Sequence, residues 1–160
     1  MVSNDAEAGS EAVDVAALPH WVVFSCDGER FAVPLLLSRE VVPPQPFTRL
    51  PGCGPEVAGL LGLQGRVVTA FDMGTVLGLS SALRMADYRV LVIDLDDRIV
   101  ALAVDAVVGI AREQAAHLEP AGVELGRLES IRADVVGVGT LEGNRYLALD
   151  PKRILSRLLA

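Results

Sequence analysis

The sequence has few of the residues on which enzymes and nucleic-acid-binding proteins depend. Only two histidines, His20 and His117, occur in 160 residues, and neither stands beside a metal-ligand motif. Histidine-based catalysis and metal binding therefore have little support. Aromatic side chains make up 4% of the chain, too few for a platform on which bases stack. We expect no catalytic residue, no bound metal and no cofactor.

Clustered positive charge and long apolar runs are also missing. The net charge is −7, and the 14 Lys and Arg residues are scattered along the chain. Phosphate binding needs a concentrated positive field, so nucleic acid is not an expected partner. A membrane-spanning helix needs about 18 consecutive apolar residues. No run of that length occurs, so we expect no direct insertion into a membrane.

Signals for secretion are scarce as well. The amino terminus lacks the basic segment and the apolar stretch of a secretory signal. Cys26 and Cys53 are isolated thiols, which fit a reducing cytosol better than a disulfide framework, although the sequence leaves a disulfide open. Together these features predict a cytoplasmic protein.

The first 18 residues differ in composition from the rest of the chain. They carry four acidic residues and no basic one, and they show no persistent apolar stripe. We interpret residues 1–18 as a flexible acidic tail. Residues 19–160 then form the folded part, which is long enough to bury a hydrophobic core.

Beyond the tail, β-rich runs come in pairs around short turns. The four turns are Asp27-Gly28, Gln64-Gly65, Asp96-Asp97 and Glu142-Gly143-Asn144. An Asp-Gly pair between such runs is the strongest short-range hairpin signal, because Gly adopts a positive φ at little cost. The pattern predicts four β-hairpins and an all-β fold.

Several of these strands are apolar on both faces. Residues 90–93 and 99–104 are unbroken apolar runs, without the alternation of a sheet that has one solvated face. Short antiparallel strands buried on both sides are typical of small closed barrels packed against each other. Helix is minor. Asp150 is a good N-cap, Pro151 suits the first helical position and an apolar stripe follows, which predicts a short helix at the carboxyl end.

Taken in order, segments along the chain, from the first hairpin to the closing strand and helix at Leu147–Leu155, resemble the CheW family of chemotaxis coupling proteins. Trp21–Pro34 resembles the first hairpin of the family, and Leu37–Val42 resembles its Arg-Val-x-Glu-Ile segment. Val57–Asp72 is similar to the family pattern Gly-x-x-Asn-Leu-Arg-Gly-x-x-x-Pro-x-x-Asp-Leu, and Ala103–Val107 is similar to its Val-Asp-x-Val signature. The resemblance covers about residues 19–158.

This resemblance implies a fold and a function. The fold is all-β, with two small five-stranded SH3-like β-barrels packed side by side and short helices, including one at the C-terminus. We expect the boundary between the barrels near residues 80–88, in a chain that can cross from one barrel to the other. The function is that of a non-enzymatic adaptor. It joins the cytoplasmic tip of a helical chemoreceptor to the regulatory domain of a CheA-type histidine kinase, in the cytoplasm and at receptor clusters.

The resemblance also implies which residues contact the partners, with receptor tips bound in an apolar groove between the barrels. The partner-binding positions are Leu35, Ser38, Glu40, Val41, Gln64, Gly65, Arg66, Val107 and Val108. Those expected near the receptor groove are Leu35, Ser38, Val41, Val107 and Val108.

One departure from the family pattern leaves a second interpretation open. Where the family has Asn-Leu-Arg-Gly, this chain has a neutral amide, Gln64, in place of the Arg. Gln64 can offer Glu40 only neutral hydrogen bonds, about half as strong as charge-assisted ones. Arg66 compensates if the strand keeps its period of two. The alternative is a divergent adaptor that binds the receptor, has lost kinase binding and tunes the composition of the signalling array. A third hypothesis, a small-ligand-binding or hydrolytic barrel, has no convergent polar residues in its favour.

Overall fold

The computed structural model describes residues 18–96, 98–112, 118 and 125–159. Residues 1–17 of the predicted tail lie outside the described residues, as do Asp97 and His117. The strands, in chain order, are β1 (His20–Cys26), β2 (Glu29–Pro34), β3 (Ser38–Val42), β4 (Val57–Leu63), β5 (Arg66–Asp72), β6 (Arg89–Leu95), β7 (Arg98–Val104), β8 (Ala106–Arg112), β9 (Val135–Leu141) and β10 (Asn144–Leu149). The helices are α1 (Met73–Val76) and α2 (Pro151–Leu159), with 3₁₀ segments at Leu35–Leu37, Ala82–Arg84 and Gly126–Asp134.

The strands form two five-stranded sheets. The first has the order β8-β1-β2-β10-β9 and the second the order β3-β6-β7-β5-β4. The pairs β2·β10 and β5·β7 are parallel, and the other neighbours are antiparallel. The chain passes from the first sheet to the second through Leu35–Leu37 and returns at Asp105. Residues 80–88 lie between β5 and β6 of the second sheet, and the division into two barrel subdomains stays a prediction.

The all-β prediction is confirmed, although neither sheet closes through a ladder of hydrogen bonds in the part of the chain that the structure describes. The edges of the first sheet are β8 and β9, and no strand pairing joins them within the residues that the structure describes. Gly109 of β8 lies against the Leu141 side chain of β9. The two edges therefore approach each other with a side chain between them, which makes the sheet an open, SH3-like barrel.

The hairpin turns have the conformation that their sequences predict. Asp27, Gln64, Asp96 and Glu142 all have positive φ angles, between 51° and 59°. In three turns a glycine with a φ of 81° follows. Two successive positive φ angles define the type I′ turn, whose twist matches that of the flanking strands. The last turn has two residues rather than the predicted three, because Asn144 already pairs with Leu141.

One large apolar core joins the two sheets. It includes Trp21 and Phe24 from the first sheet and Phe71 and Leu102 from the second, all at most 1% exposed. A smaller cluster, to which Val90 and Ala101 contribute, lies on the other face of the second sheet. Both β6 and β7 are therefore buried on two faces, as their unbroken apolar runs predict.

The predicted carboxyl-terminal helix is confirmed as α2. The Asp150 carboxylate caps its amino end, since the backbone N–H of Lys152 donates to Oδ1 over 3.0 Å. Ile154 and Leu155 bury the apolar face of the helix in the large core. The Arg157 guanidinium donates two hydrogen bonds, of 2.5 and 2.8 Å, to the buried Asp134 carboxylate. Apolar contacts and two ion pairs, this one and the 3.3 Å pair between Lys152 and Asp96, thus hold α2 against the rest of the fold.

Candidate functional site

The passage from the first sheet to the second exposes apolar side chains. In the 3₁₀ segment that follows β2, Leu37 is buried, whereas Leu35 and Leu36 are 36% and 69% exposed. A short turn of three residues can direct only part of its side chains into the core. Leu35 and Leu36 line an open apolar cavity of about 380 Å³ together with residues 18–20. We call this feature the crossover cavity.

Strand β3 follows the crossover and presents the next predicted receptor positions. It is an edge strand of the second sheet, and its side chains alternate between half-buried and exposed. Val41 is 44% exposed, whereas Ser38 and Glu40 are half-buried. The Ser38 hydroxyl donates to the carbonyl of Pro34 over 3.0 Å, so it braces the crossover.

The structure does not gather all of the predicted receptor positions in one cavity. Val107 and Val108 lie half-buried on β8 of the first sheet, where they pack against the large core. Of the five positions, only Leu35 is among the residues that line the crossover cavity. The remaining predicted positions lie on the strands that lead away from the two chain crossings.

A second, more polar cavity brings together three of the other predicted positions. Its volume is about 220 Å³, and Glu40, Gln64 and Arg66 line it along with Arg39. These residues come from opposite edges of the second sheet, β3 and the β4–β5 hairpin. The second sheet therefore curls strongly enough to bring its edges to one cavity. We call it the turn cavity.

The geometry of the turn cavity follows from its hairpin. Gln64 and Gly65 form the type I′ turn, with φ angles of 51° and 81°, and both are exposed. Arg39 forms an ion pair of 3.2 Å with Asp94. Among the described residues, no hydrogen bond or ion pair links the side chains of Glu40, Gln64 and Arg66 to one another. The cavity thus offers a partner one carboxylate, one neutral amide and at least one guanidinium.

Nothing in these two cavities provides the groups of an enzyme. Neither is lined by a nucleophile next to a base. In the described ranges, no three His, Cys, Asp or Glu side chains are grouped closely enough to hold a metal ion. Within the same ranges, no helix has the length and the apolar character needed to cross a bilayer.

Sequence reasoning missed several exposed apolar residues. Leu36, Val67 and Ile110 are 69%, 73% and 51% exposed. For Val67 a partial signal was present, because successive strand residues face opposite sides and two adjacent valines must therefore occupy both faces. The structure buries Val68 and exposes Val67. No comparable signal separates Leu36 from the leucines on either side of it.

Comparisons with known proteins agree with this architecture. Residues 20–159 match the CheW-like domain family. The chain is 28% identical over 117 residues to the "Chemotaxis protein CheW" of Helicobacter pylori, which covers 73% of this chain and 71% of the relative. It is 27% identical over 99 residues to the "Chemotaxis protein CheW" of Rhizobium meliloti, which covers 62% of this chain and 64% of that relative.

A solved structure shows the same fold. The scaffolding protein TtCheW from Thermoanaerobacter tengcongensis superimposes with a TM-score of 0.72 at 21% identity, covering 83% of this chain and 89% of that one. At 21% identity the superposition shows only that the two chains share a fold. Membership of the family is shown by the family match over residues 20–159. The chain therefore belongs to the CheW-like family of chemotaxis adaptors, which are non-enzymatic scaffolds.

Proposed function

We propose that this chain couples a chemoreceptor to a CheA-type histidine kinase by binding the cytoplasmic tip of the receptor and the regulatory domain of the kinase. The observation that carries this proposal is the pair of exposed leucines, Leu35 and Leu36, around the apolar crossover cavity. Helix-in-groove recognition draws its affinity from a few apolar anchors that bury on binding. A helical receptor tip is a partner of this kind.

The kinase surface that we propose is the turn cavity. Gln64 lacks the charge that the family pattern places there, but Arg66 lines the same cavity beside Glu40. A cation is thus available to a partner at this position, which supports the full coupling function over a divergent adaptor without kinase binding. Because its proposed partners work at the inner side of the membrane, we place the chain in the cytoplasm, recruited to receptor clusters.

Separate titrations of the chain against a receptor cytoplasmic fragment and a kinase regulatory domain test this function. We expect both to bind, as measured by calorimetry. Leu36→Glu should weaken receptor binding at least about tenfold, because a charge would be desolvated unpaired in an apolar contact. Val67→Glu is the matched control, since Val67 is equally exposed but lies away from the crossover cavity.

The outcomes separate the candidate functions. Binding to the receptor fragment without binding to the kinase domain would support the divergent adaptor instead. Binding to neither partner would contradict both forms of the proposal. If Leu36→Glu and Val67→Glu weaken receptor binding equally, the crossover cavity is not the receptor site.

A further inference from the structure

A cluster of charged side chains joins the two sheets at the end of the β1–β2 hairpin that lies opposite the Leu35–Leu37 crossing. Its members are Asp27, Glu29, Arg84, Asp105 and Arg127. They come from the first hairpin turn, from a 3₁₀ segment of the second sheet, from the return crossing and from the long 3₁₀ segment that precedes β9. We call this group the ionic cluster.

Arg84 is the centre of the ionic cluster. Its guanidinium donates two hydrogen bonds, of 3.2 and 3.0 Å, to the two oxygens of Asp105, and its Nη2 lies 3.8 Å from Asp27. Arg127 adds an outer contact, since its Nη1 lies 3.2 Å from the Asp27 carboxylate and its Nε lies 3.4 Å from Glu29. Bidentate contacts between Arg and a carboxylate are among the stronger and more directional ion pairs.

The same carboxylates also hold the backbone of the connecting loops. The backbone N–H of Asp27 donates to Oδ2 of Asp105 over 2.9 Å, and the backbone N–H of Ser80 donates to the Asp27 carboxylate over 3.1 Å. The hairpin turn of the first sheet is thereby tied to the return crossing and to a loop of the second sheet. Losing the Arg84 contact would loosen three chain segments at once.

Arg84 is itself held in place before it meets Asp105. The buried Asp72 carboxylate accepts hydrogen bonds from the Thr75 hydroxyl and the Ala82 N–H, both over 2.9 Å, and from the Ser81 hydroxyl. This loop brings the Ser81 carbonyl to Arg84, whose Nη1 donates to it over 2.5 Å. The guanidinium therefore needs little further ordering to form the contact.

The burial of each side chain determines which contact in the ionic cluster contributes most to stability. The Asp105 side chain is 10% exposed, whereas Arg84 and Arg127 are 38% and 52% exposed. Within the described ranges Arg84 is the only cation in contact with the Asp105 carboxylate. An exposed pair contributes little to stability, but a shielded carboxylate left without its cation is costly. The Arg84–Asp105 contact should therefore dominate, with Arg127 contributing less.

A buried thiol lies next to the ionic cluster and can report on its opening. Cys26 is the last residue of β1 and is fully buried. Burial raises the pKa of the Cys26 thiol to about 12, and the Asp105 backbone and the charge of Arg84 are among its neighbours. A thiol in this state reacts only when its surroundings open.

We propose that Arg84 is a positioning residue, which through Asp105 and Asp27 latches the two sheets together at this end of the β1–β2 hairpin. The latch opens locally and without global unfolding, which frees the β1–β2 turn and the return crossing at Asp105 and uncovers Cys26. Because the chain itself joins the two sheets at Asp105 and one apolar core packs between them, the opening stays at this end of the hairpin, about 20 Å from the crossing at Leu35–Leu37.

The test measures the rate at which a neutral thiol reagent modifies Cys26 in a Cys53→Ser background. In the otherwise unmodified chain we expect slow labelling that accelerates about threefold or more between low and high salt, because salt screens the cluster. Arg84→Met should label about tenfold faster at low salt and lose most of the salt dependence. Arg84→Lys, which keeps the charge without the bidentate fork, should lie between the two.

Two controls separate the latch from general destabilisation. Arg39→Met removes an ion pair of 3.2 Å inside the second sheet and should leave both the labelling rate and its salt dependence within about twofold of the unmodified chain. Urea unfolding measures the free energy of unfolding of each variant, and hence the labelling rate expected if Cys26 reacted only in the globally unfolded chain. The latch predicts labelling faster than this rate.

Some results would overturn the latch. These are labelling that never exceeds the rate of global unfolding, a rate that salt does not change in the unmodified chain, or equal acceleration in Arg84→Met and Arg39→Met. The salt titration needs no substitution at Arg84, so it decides the question even if Arg84→Met fails to fold. None of these measurements involves a receptor or a kinase. The latch proposal can therefore be contradicted while the coupling function is supported, and the coupling function can be contradicted while the latch is supported.

Discussion

At the scale of single residues, burial of the Cys26 thiol links the stability of the chain to alkaline pH. Burial raises the pKa of this thiol from its ordinary value of 9.0 to about 12. The unfolded chain therefore releases the proton near pH 9, and the folded chain keeps it until about pH 12. A raised pKa contributes stability that is complete below the unfolded value and is lost as the pH rises through the folded value.

We expect the free energy of unfolding to fall between about pH 8 and about pH 10 by roughly 1.4 kcal/mol more in the native chain than in Cys26→Ala. Urea denaturation of both proteins at the two pH values measures this difference. Cys26→Ala should be less stable at both values because it leaves a small cavity, so the change with pH is the quantity to compare. Equal declines in the two proteins would show that Cys26 ionises as readily in the folded chain as in the unfolded one.

The second residue-scale prediction concerns the more buried of the two ion pairs that hold α2, Arg157–Asp134. The Asp134 side chain is 2% exposed and the Arg157 side chain 55% exposed, and their hydrogen bonds raise the pKa of the Arg157 guanidinium. Arg157→Met would leave a buried carboxylate without its cation. We expect a loss of about 1–3 kcal/mol in the free energy of unfolding, in the lower half of this range because the guanidinium is half exposed.

Urea denaturation measures that loss, with Arg39→Met as the matched control. The Arg39–Asp94 pair is 47% and 41% exposed, so its removal should cost less than about 0.5 kcal/mol. If the two variants lose the same stability, the burial of Asp134 has no energetic consequence.

At the scale of elements, the loop between β5 and β6 depends on one close approach of two backbone segments. The Gly74 carbonyl accepts a hydrogen bond of 2.7 Å from the Leu79 N–H, and a Cβ on residue 74 would overlap the carbonyl oxygen of Ser80. Backbone on both sides leaves little room to adjust. The glycine here is required by packing rather than by its φ angle.

Gly74→Ala should therefore destabilise the chain by about 1–3 kcal/mol through steric overlap. Gly62→Ala is the control, since a Cβ on Gly62 would meet no atom within 4 Å and its φ is not positive. Thermal or urea unfolding of the two variants gives the comparison. A neutral Gly74→Ala would mean that the loop shifts easily, and the ordering of Arg84 by this loop would then be in question.

At the scale of the whole molecule, the predicted receptor surface extends from the crossover to β3. Val41 is 44% exposed on an edge strand, so it can contact a partner without unfolding. Val41→Asp should cost more than about 2 kcal/mol of affinity for a receptor tip, because the charge would be desolvated without a partner. Calorimetry with a receptor fragment measures the loss, and Val67→Asp serves as the control because Val67 is 73% exposed elsewhere. Unchanged affinity in a folded Val41→Asp would remove this position from the receptor surface.

The kinase surface gives the second prediction at this scale. Gln64→Arg would add a third guanidinium to the turn cavity, which Arg39 and Arg66 already line along with Glu40. We expect it to strengthen binding to the kinase regulatory domain by about 0.5–2 kcal/mol if the new pair is partly buried, and by nearly nothing if it stays exposed. Receptor binding, measured in parallel, should not change. Tight kinase binding by the native chain would exclude the divergent adaptor, and no gain in Gln64→Arg would show that Gln64 is not what limits kinase binding.

Much of the fold could be predicted because its signals are local. The Asp27-Gly28 and Gln64-Gly65 turns depend on residues next to each other, whose positive φ angles the structure confirms. Helix α2 depends on its cap, Asp150, whose carboxylate accepts a hydrogen bond from the backbone N–H only two residues further on, at Lys152. Hairpin twist and helix capping act within a few residues, so they can be recognised before the chain folds.

Strands β3 and β8 could not be predicted from local sequence, because their pairing partners lie far away along the chain. Strand β8 pairs with β1 and strand β3 pairs with β6, so neither belongs to a hairpin and no turn marks it. The long 3₁₀ segment Gly126–Asp134 has no comparable signal either. Edge strands are half exposed, and their apolar pattern is correspondingly weak.

The candidate site divides in the same way. The resemblance picked out Glu40, Gln64 and Arg66, but only the curl of the second sheet brings them to one cavity. The ionic cluster could not be recognised beforehand, because Asp27 and Asp105 are 78 residues apart and Arg84 lies between them in the chain. Local backbone chemistry settles turns and caps, whereas contacts across two sheets exist only once the shared core has brought distant segments together.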